Sequence, residues 1–196
     1  MIDIKAEEAA GSQDDVYPNP AIVIGGAGVV GLISTLSLPW PVAVASTVLG
    51  TLMIAGAEVD ARTFLLPDPV TLGAVICGIL AAPLLNTTEP WTAVAETIAR
   101  AGGVASMLAL FRAGYTWSRQ IEGLGLGDIK LGAAIGAWLP LEMIPWCFGL
   151  ATSGGLLAVI FARVSGEPVM RTTKIPLGAF LCPALWIVFS ADSVTQ

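Results

Sequence analysis

The chain of 196 residues contains no histidine, and that absence excludes several kinds of active site. Ser-His-Asp and Cys-His hydrolases, zinc sites with His ligands and haem groups with a His ligand all require an imidazole side chain. Charged residues are also scarce, at 12% of the chain, against about a quarter in an ordinary soluble domain. The nine Lys and Arg residues are too few for a surface that must neutralise phosphates, so no nucleic-acid partner is expected.

Cysteine is the third scarce residue type. Cys77, Cys147 and Cys182 are odd in number, lie far apart within apolar runs and form no C-x-x-C pair. Metal sites and disulfide frameworks use closely spaced or paired cysteines. These three are therefore expected to pack as small hydrophobic side chains.

Hydrophobic residues, in contrast, make up 55% of the chain, and the mean hydropathy is +0.80. A water-soluble fold of this size would lack the polar residues needed to cover its surface. The sequence therefore predicts an all-α, polytopic integral membrane protein with six to seven transmembrane helices, each of about 20 mostly apolar residues. The predicted spans are 21–38, 41–59, 69–85, 91–111, a short fifth helix from Asp128 to the break at Pro140, 146–161 and 175–191.

The polar residues divide this chain into three parts. Residues 1–20 are predicted to form a polar, acidic tail, residues 21–191 a single transmembrane domain and residues 192–196 a C-terminal tail. With seven spans and a cytoplasmic N-terminus, all but one of the basic residues fall on the cytoplasmic side. They are Lys5, Arg62, Arg112, Arg119, Lys130, Arg163, Arg171 and Lys174. The ninth, Arg100, lies in the fourth span four residues after Glu96, and the two are predicted to pair.

Two aspartates stand at predicted helix ends on this same side. Asp60 lies where the second span ends, and Asp128 lies where a glycine-rich loop enters the fifth helix. Two carboxylates brought close together share one proton, and such a pair can hydrolyse a peptide bond without histidine, serine or metal. Each aspartate also has a structural alternative: Asp128 as a helix cap after a glycine turn, and Asp60 as an interfacial partner of Arg62.

The glycines before Asp128 suggest how a substrate reaches it. Gly123, Gly125 and Gly127 permit positive φ angles and close approach of another backbone. Such a loop could admit an extended peptide beside the carboxylate.

Three segments together resemble the prepilin peptidases, the type IV leader peptidase family of intramembrane aspartyl proteases with a Gly-x-Gly-Asp motif. They are residues 60–72 with the sequence DARTFLLPDPVTL, residues 122–139 with EGLGLGDIKLGAAIGAWL and residues 174–181 with KIPLGAFL. The resemblance implies that residues 21–191 form a peptidase domain and that Asp60 and Asp128 are catalytic. The supporting motif residues that it implies are Gly125, Gly127, Lys130, Asp68, Arg62 and Glu122.

Several of these roles remain open. Lys130 is expected either to tune the ionisation of Asp128 or to extend towards water as an interfacial lysine. Asp68 is expected to cap or turn the chain at the start of the third span. The last segment has Leu177 and Ala179 where the family usually has Phe and Pro, so it is expected to contribute packing near the site.

The resemblance implies an endopeptidase that removes short basic leaders from pilin-like precursors at the cytoplasmic face of a prokaryotic inner membrane. Longer family members carry a cytoplasmic N-terminal domain that this sequence does not match, so a short form is expected. No metal or other cofactor is expected, and S-adenosylmethionine would be needed only if methylation of the product is retained. The lipid bilayer is an expected partner, whereas the oligomeric state stays open.

Two other functions remain as alternatives. One is a small proton- or cation-coupled transporter that uses interfacial carboxylates, since acidic residues at helix ends and proline-broken spans occur in transporters. The other is a non-catalytic membrane scaffold in which Glu96 and Arg100 form the main buried polar feature.

Overall fold

The computed structural model describes residues 17–119, 125–165 and 176–195, and within these ranges the chain is helical with no strand. The helices are α1 (Pro20–Ser37), α2 (Trp40–Thr63), α3 (Asp68–Leu85), α4 (Pro90–Arg119), α5 (Leu126–Trp138), α6 (Ile144–Val164) and α7 (Leu177–Thr195). Several features predicted from the sequence lie outside the described residues. They are the N-terminal tail up to residue 16, and the residues Glu122, Gly123, Arg171 and Lys174.

Six of these helices are long and apolar enough to cross a membrane. The exception is α5, whose 13 residues extend about 20 Å, less than the hydrocarbon core of about 30 Å. The prediction of an all-α integral membrane protein with six to seven membrane helices is therefore confirmed.

Prolines set several of the helix boundaries. The predicted break at Pro140 and Pro145 is confirmed, because α5 ends at Trp138 and α6 begins at Ile144 with Pro145 in its first turn. Proline is tolerated in the first turn of a helix because backbone N–H groups there have no acceptor within the helix, so the missing N–H costs no hydrogen bond. Four helices run past their predicted ends: α2 continues to Thr63, α4 to Arg119, α6 to Val164 and α7 to Thr195. The apolar run marks only the part of a helix that needs lipid or core contacts, and backbone hydrogen bonds continue beyond it.

The short helix α5 forms the centre of the bundle. It packs against α3, α4 and α7, and more than half of its residues are buried, with Leu131 and Ile135 fully so. Its neighbours approach closely through small residues: a Cβ added to Gly136 would lie 2.5 Å from the carbonyl oxygen of Arg100. Trp138 Nε1 donates a 2.8 Å hydrogen bond to the carbonyl oxygen of Ala74 and so ties α5 to α3.

The second helix, α2, organises the other side. It packs against α1, α3 and α7, while α6 lies on the outside against α7. Its Ser46 hydroxyl lies within hydrogen-bond distance of Ser34 on α1 and of Ser190 and Trp186 on α7. Cys147 and Cys182 are fully buried and unpaired among apolar residues, as predicted.

The chain direction gathers several helix termini at one end of the bundle. The backbone before α1 is bonded to the last turns of α2, since Asn19 N–H donates to Glu58 and Tyr17 O accepts from Arg62. The starts of α3, α5 and α7 lie at this same end, which is called the aspartate end below because Asp60 and Asp128 lie there. The connection of α3 to α4 lies at the opposite end.

Candidate active site

Asp60 lies in the last turn of α2 and is almost completely buried, with 5% of its surface exposed. The helix ends three residues later because Phe64 adopts a left-handed conformation with φ of 55° and donates its N–H to the carbonyl oxygen of Asp60. Phenylalanine rarely adopts this conformation, which costs about 1 kcal/mol or more. Among the described residues no other non-glycine residue has a positive φ, so the backbone is strained next to the buried carboxylate.

The Asp60 carboxylate is held by the beginning of α7. Its Oδ2 accepts a 2.8 Å hydrogen bond from the N–H of Ala179, and the backbone of Gly178 lies next to the carboxylate, where its N–H favours the negative charge. These N–H groups belong to the first turn of α7, where they have no partner within the helix and where the helix dipole favours a negative charge. The expectation that residues 174–181 contribute packing alone was therefore incomplete, because the described part of this segment supplies backbone donors to the site.

Asp128 lies in the first turn of α5 and is partly buried. Its Oδ2 accepts a 3.3 Å hydrogen bond from the N–H of Gly125, so the predicted capping contact is present. Burial raises the pKa of the Asp128 carboxyl; the hydrogen bond from Gly125 opposes this shift, and the charge of Asp60 adds to it. The structure thus brings the two aspartates within electrostatic reach of each other.

Leu66 packs between the elements that carry the two aspartates. A Cβ added to Gly127 would lie 3.1 Å from the Cβ of Leu66, and a Cβ added to Gly178 would overlap the tip of the same leucine. The predicted close backbone approach is therefore found at Gly127. The positive φ that the sequence permits is not used at the two described glycines, because Gly125 has a φ of −69° and Gly127 lies within α5.

The charged residues around the pair have different partners from those predicted. Lys130 Nζ forms an ion pair with Asp68 Oδ1, so its partner is Asp68 and not Asp128. Asp68 is the first residue of α3, as expected for a residue at the start of the third span, and its carboxylate bonds to Lys130. Arg62 pairs at 2.8 Å with Glu58 on its own helix, which corrects the alternative pairing with Asp60.

Three features of this site were missed by reasoning from the sequence. They are the spacer Leu66, the backbone donors of Gly178 and Ala179, and the buried thiol of Cys182, which is within electrostatic reach of both aspartates. The segments around Leu66 and Gly178 were singled out by the resemblance, but a backbone N–H carries no signal in the residue type. Cys182 could not be distinguished from any other cysteine in an apolar run.

Comparison with known proteins connects this geometry to a family. The sequence model of the type IV leader peptidase family matches residues 47–164, which is more than half of the chain and includes both aspartates. The chain belongs to the type IV leader peptidase family. Residues 176–195, and with them the backbone donors of α7, lie outside the matched range.

Curated relatives agree with this family. The prepilin leader peptidase/N-methyltransferase of Legionella pneumophila is 30% identical over 145 residues, covering 73% of this chain and 48% of that protein. The protein of the same name from Neisseria gonorrhoeae is 31% identical over 148 residues, covering 75% and 49%. One from Klebsiella pneumoniae is 36% identical over 108 residues, covering 54% and 44%. The chain spans about half the length of these relatives, and no solved structure matches it.

The ion pair between Lys130 and Asp68 offers a test of what positions the helix that carries Asp128. It joins the first turn of α5, which carries Asp128, to the first turn of α3. Because both partners are partly exposed, we expect Lys130→Met and Asp68→Asn each to lower the rate of the peptide cleavage proposed below only about fivefold, equivalent to about 1 kcal/mol. The exchange variant Lys130→Asp with Asp68→Lys should recover most of the activity, measured as the rate of precursor cleavage.

A direct role of Lys130 on Asp128 makes a different prediction. In that case the exchange variant would be no more active than the single Lys130 variants. Arg62→Met provides a matched control, because Arg62 is a half-exposed cation at the same end whose partner is Glu58. It should leave the cleavage rate within about twofold of the wild type.

Proposed function

We propose that this protein is a membrane-embedded aspartic endopeptidase that removes the leader peptide from pilin-like precursors. The observation that carries the proposal is the pair of aspartates within electrostatic reach at one end of an apolar helix bundle. Family membership and the names of the curated relatives support this reaction over transport and over a purely structural role.

The two carboxylates differ in their hydrogen bonds, and this difference suggests their roles. Asp60 receives N–H groups from the first turn of α7, including the 2.8 Å bond from Ala179, and these donors stabilise its negative charge. Asp128 receives one longer hydrogen bond, of 3.3 Å, from Gly125; because both carboxyl groups are removed from water, these hydrogen bonds are what distinguish them. We assign the ionised role to Asp60 and the protonated role to Asp128.

These roles provide both proton transfers of peptide hydrolysis. Asp60 accepts a proton from a water molecule as the water oxygen attacks the scissile carbonyl carbon, and Asp128 donates its proton to the carbonyl oxygen. When the tetrahedral intermediate collapses, the C–N bond breaks and the leaving nitrogen receives the proton held by Asp60. The proton on the former carbonyl oxygen returns to Asp128, which restores the starting state and releases an acid and an amine.

This mechanism predicts a bell-shaped dependence of the cleavage rate on pH. Activity requires one proton on the pair, so the rate falls at low pH, where both carboxylates are protonated, and at high pH, where both are ionised. Because burial raises the pKa of Asp128, its protonated form persists above the usual aspartate value of about 3.9, and the alkaline limb moves upward.

The profile is measured with purified protein and a synthetic precursor peptide. A rate that stays flat across the whole carboxylate range would contradict coupled acid–base action by the pair. A chelator is expected to leave the profile unchanged, because the proposed reaction uses no metal.

The distribution of positive charge suggests how the protein is oriented in the membrane. Arg62, Arg119 and Arg163 lie in the last turns of α2, α4 and α6, and Lys130 lies in the first turns of α5. These helix termini share the aspartate end, and basic residues accumulate on the cytoplasmic side of membrane proteins. We therefore place the aspartate end at the cytoplasmic face of a prokaryotic inner membrane, where the basic leader of a precursor is accessible.

The proposed function is tested by co-expression with candidate pilin and pseudopilin precursors, followed by mass spectrometry of the intact products. Loss of the leader in the presence of the wild-type protein, and its retention without the protein, would support the proposal. An unprocessed precursor of every class, despite correct membrane insertion of the protein, would refute it. The same spectra show whether the new N-terminus carries a methyl group.

A further inference from the structure

Glu96 and Arg100 lie on the membrane-spanning helix α4 at the end of the bundle opposite to the aspartates. The predicted pair is present but loose, because Arg100 Nη1 lies 3.7 Å from Glu96 Oε2. The carboxylate is also strongly exposed, with 71% of the side-chain surface accessible, against 24% for Arg100. A carboxylate facing hydrocarbon in this way is unfavourable, so this surface needs a polar partner within the membrane.

Both side chains line a cavity of about 390 Å³. The cavity extends along the last turns of α3, from Gly78 to Asn86, and reaches Trp138 at the end of α5. At 1.5 Å per residue, the part of α3 that lines the cavity covers about 12 Å from the end of the helix. Because the 18 residues of α3 extend about 27 Å, close to the hydrocarbon thickness of about 30 Å, the cavity runs from the level of the glycerol backbones into the hydrocarbon of one leaflet.

An apolar groove adjoins this cavity. The groove has a volume of about 200 Å³ and lies between α2 and α3, where it is lined mainly by aliphatic side chains such as Val44, Val48 and Leu84. The cavity and the groove share three lining residues, Ala81, Leu85 and Trp138. A polar compartment therefore opens directly into an apolar one on the surface of the bundle.

We propose that this composite site binds a phospholipid with a primary-amine headgroup, a phosphatidylethanolamine, in the leaflet opposite to the aspartates. Arg100 binds the phosphate, Glu96 accepts hydrogen bonds from the ammonium group, and one acyl chain lies in the apolar groove. Charge complementarity supports this occupant, since one cation and one anion line the same cavity and the headgroup carries one of each. A headgroup with only negative charge would satisfy Arg100 but would offer no cation to the Glu96 carboxylate.

Arg100 is already positioned for such a ligand. Its Nη2 donates to Thr97 Oγ1 at 3.2 Å, and its Nε donates to the carbonyl oxygen of Gly136 at 3.4 Å. Because Gly136 lies near the end of α5, this contact satisfies a terminal carbonyl and fixes the guanidinium beside the cavity. The long contacts to its three neighbours leave the guanidinium able to bind a phosphate, the partner that its geometry matches.

The test measures which lipid the protein retains. The full chain is reconstituted in nanodiscs that contain equal amounts of phosphatidylethanolamine and phosphatidylglycerol, then transferred to detergent and examined by native mass spectrometry. The wild type should retain phosphatidylethanolamine over phosphatidylglycerol by about tenfold, the effect of one charge-assisted hydrogen bond. Glu96→Lys should reverse the preference, because its cavity holds two cations, and Glu96→Gln should remove it.

A matched control and an independent variant make the test decisive. Glu89→Gln removes a carboxylate just before α4 that does not line the cavity, so it should keep the wild-type preference. Arg100→Gln should lose retention of both lipids. Equal retention of the two lipids by the wild type, an unchanged preference in Glu96→Lys, or a second copy of the chain in place of bound lipid would each overturn the proposal.

Discussion

Asp60→Asn and Asp128→Asn are each expected to reduce leader cleavage by about a thousandfold or more. An asparagine cannot accept the proton of the attacking water or donate one to the carbonyl oxygen, so either change removes one of the two required transfers. Both substitutions keep the size and shape of the side chain, and an amide can still accept the N–H of Ala179 or Gly125 through its oxygen. The measurement is the cleavage rate of a pilin-like precursor by purified protein.

The control separates loss of chemistry from loss of structure. Asp192→Asn makes the same chemical change in the last turns of α7, at the end opposite to the two aspartates, and should cleave at the wild-type rate. All three variants should insert into the membrane and elute as the wild type does. Cleavage that persists in both active-site variants would refute the paired-aspartate mechanism, and the transporter and scaffold alternatives would then need direct tests.

Gly178→Ala is expected to reduce the cleavage rate by about a hundredfold. The added Cβ would lie 2.8 Å from the Cγ atom of Asp60 and would overlap Leu66, so the carboxylate must move away from the first turn of α7. A displacement of about 1 Å at a reacting group is sufficient for an effect of this size. We expect kcat to fall while KM for the precursor stays near its wild-type value, because the substitution moves the carboxylate and not the surface that binds the substrate.

Gly149→Ala is the matched control for this substitution. It makes the same change in a neighbouring helix, α6, where the added Cβ has no atom within 4 Å, so activity should be retained. Thermal unfolding in detergent should give similar midpoints for both variants, because the side chain of Leu66 can rotate away from the new methyl group. A Gly178→Ala variant with wild-type kcat would show that α7 does not position Asp60.

The membrane helices could be predicted from the sequence because their signals are local. An apolar run long enough to span a bilayer predicts a helix whatever its neighbours are, since every backbone polar group must be paired inside lipid. Pro140 and Pro145 ended the predicted fifth helix and began the sixth because proline restricts its own residue and its immediate neighbours. The ends of α4 and α7 were harder to place, because their last turns no longer consist of apolar residues.

The sequence by itself determined that this protein is a helical membrane protein without histidine chemistry, and it identified Asp60 and Asp128 as the residues of interest. Only the tertiary structure decided their partners. Asp60 is held by a backbone N–H that lies 119 residues away, and Lys130 pairs with an aspartate 62 residues away. A backbone donor has no residue-type signature, and a lysine flanked by several carboxylates has no local preference among them. Such contacts are selected when the helices pack, because packing sets which helix termini meet at one end of the bundle.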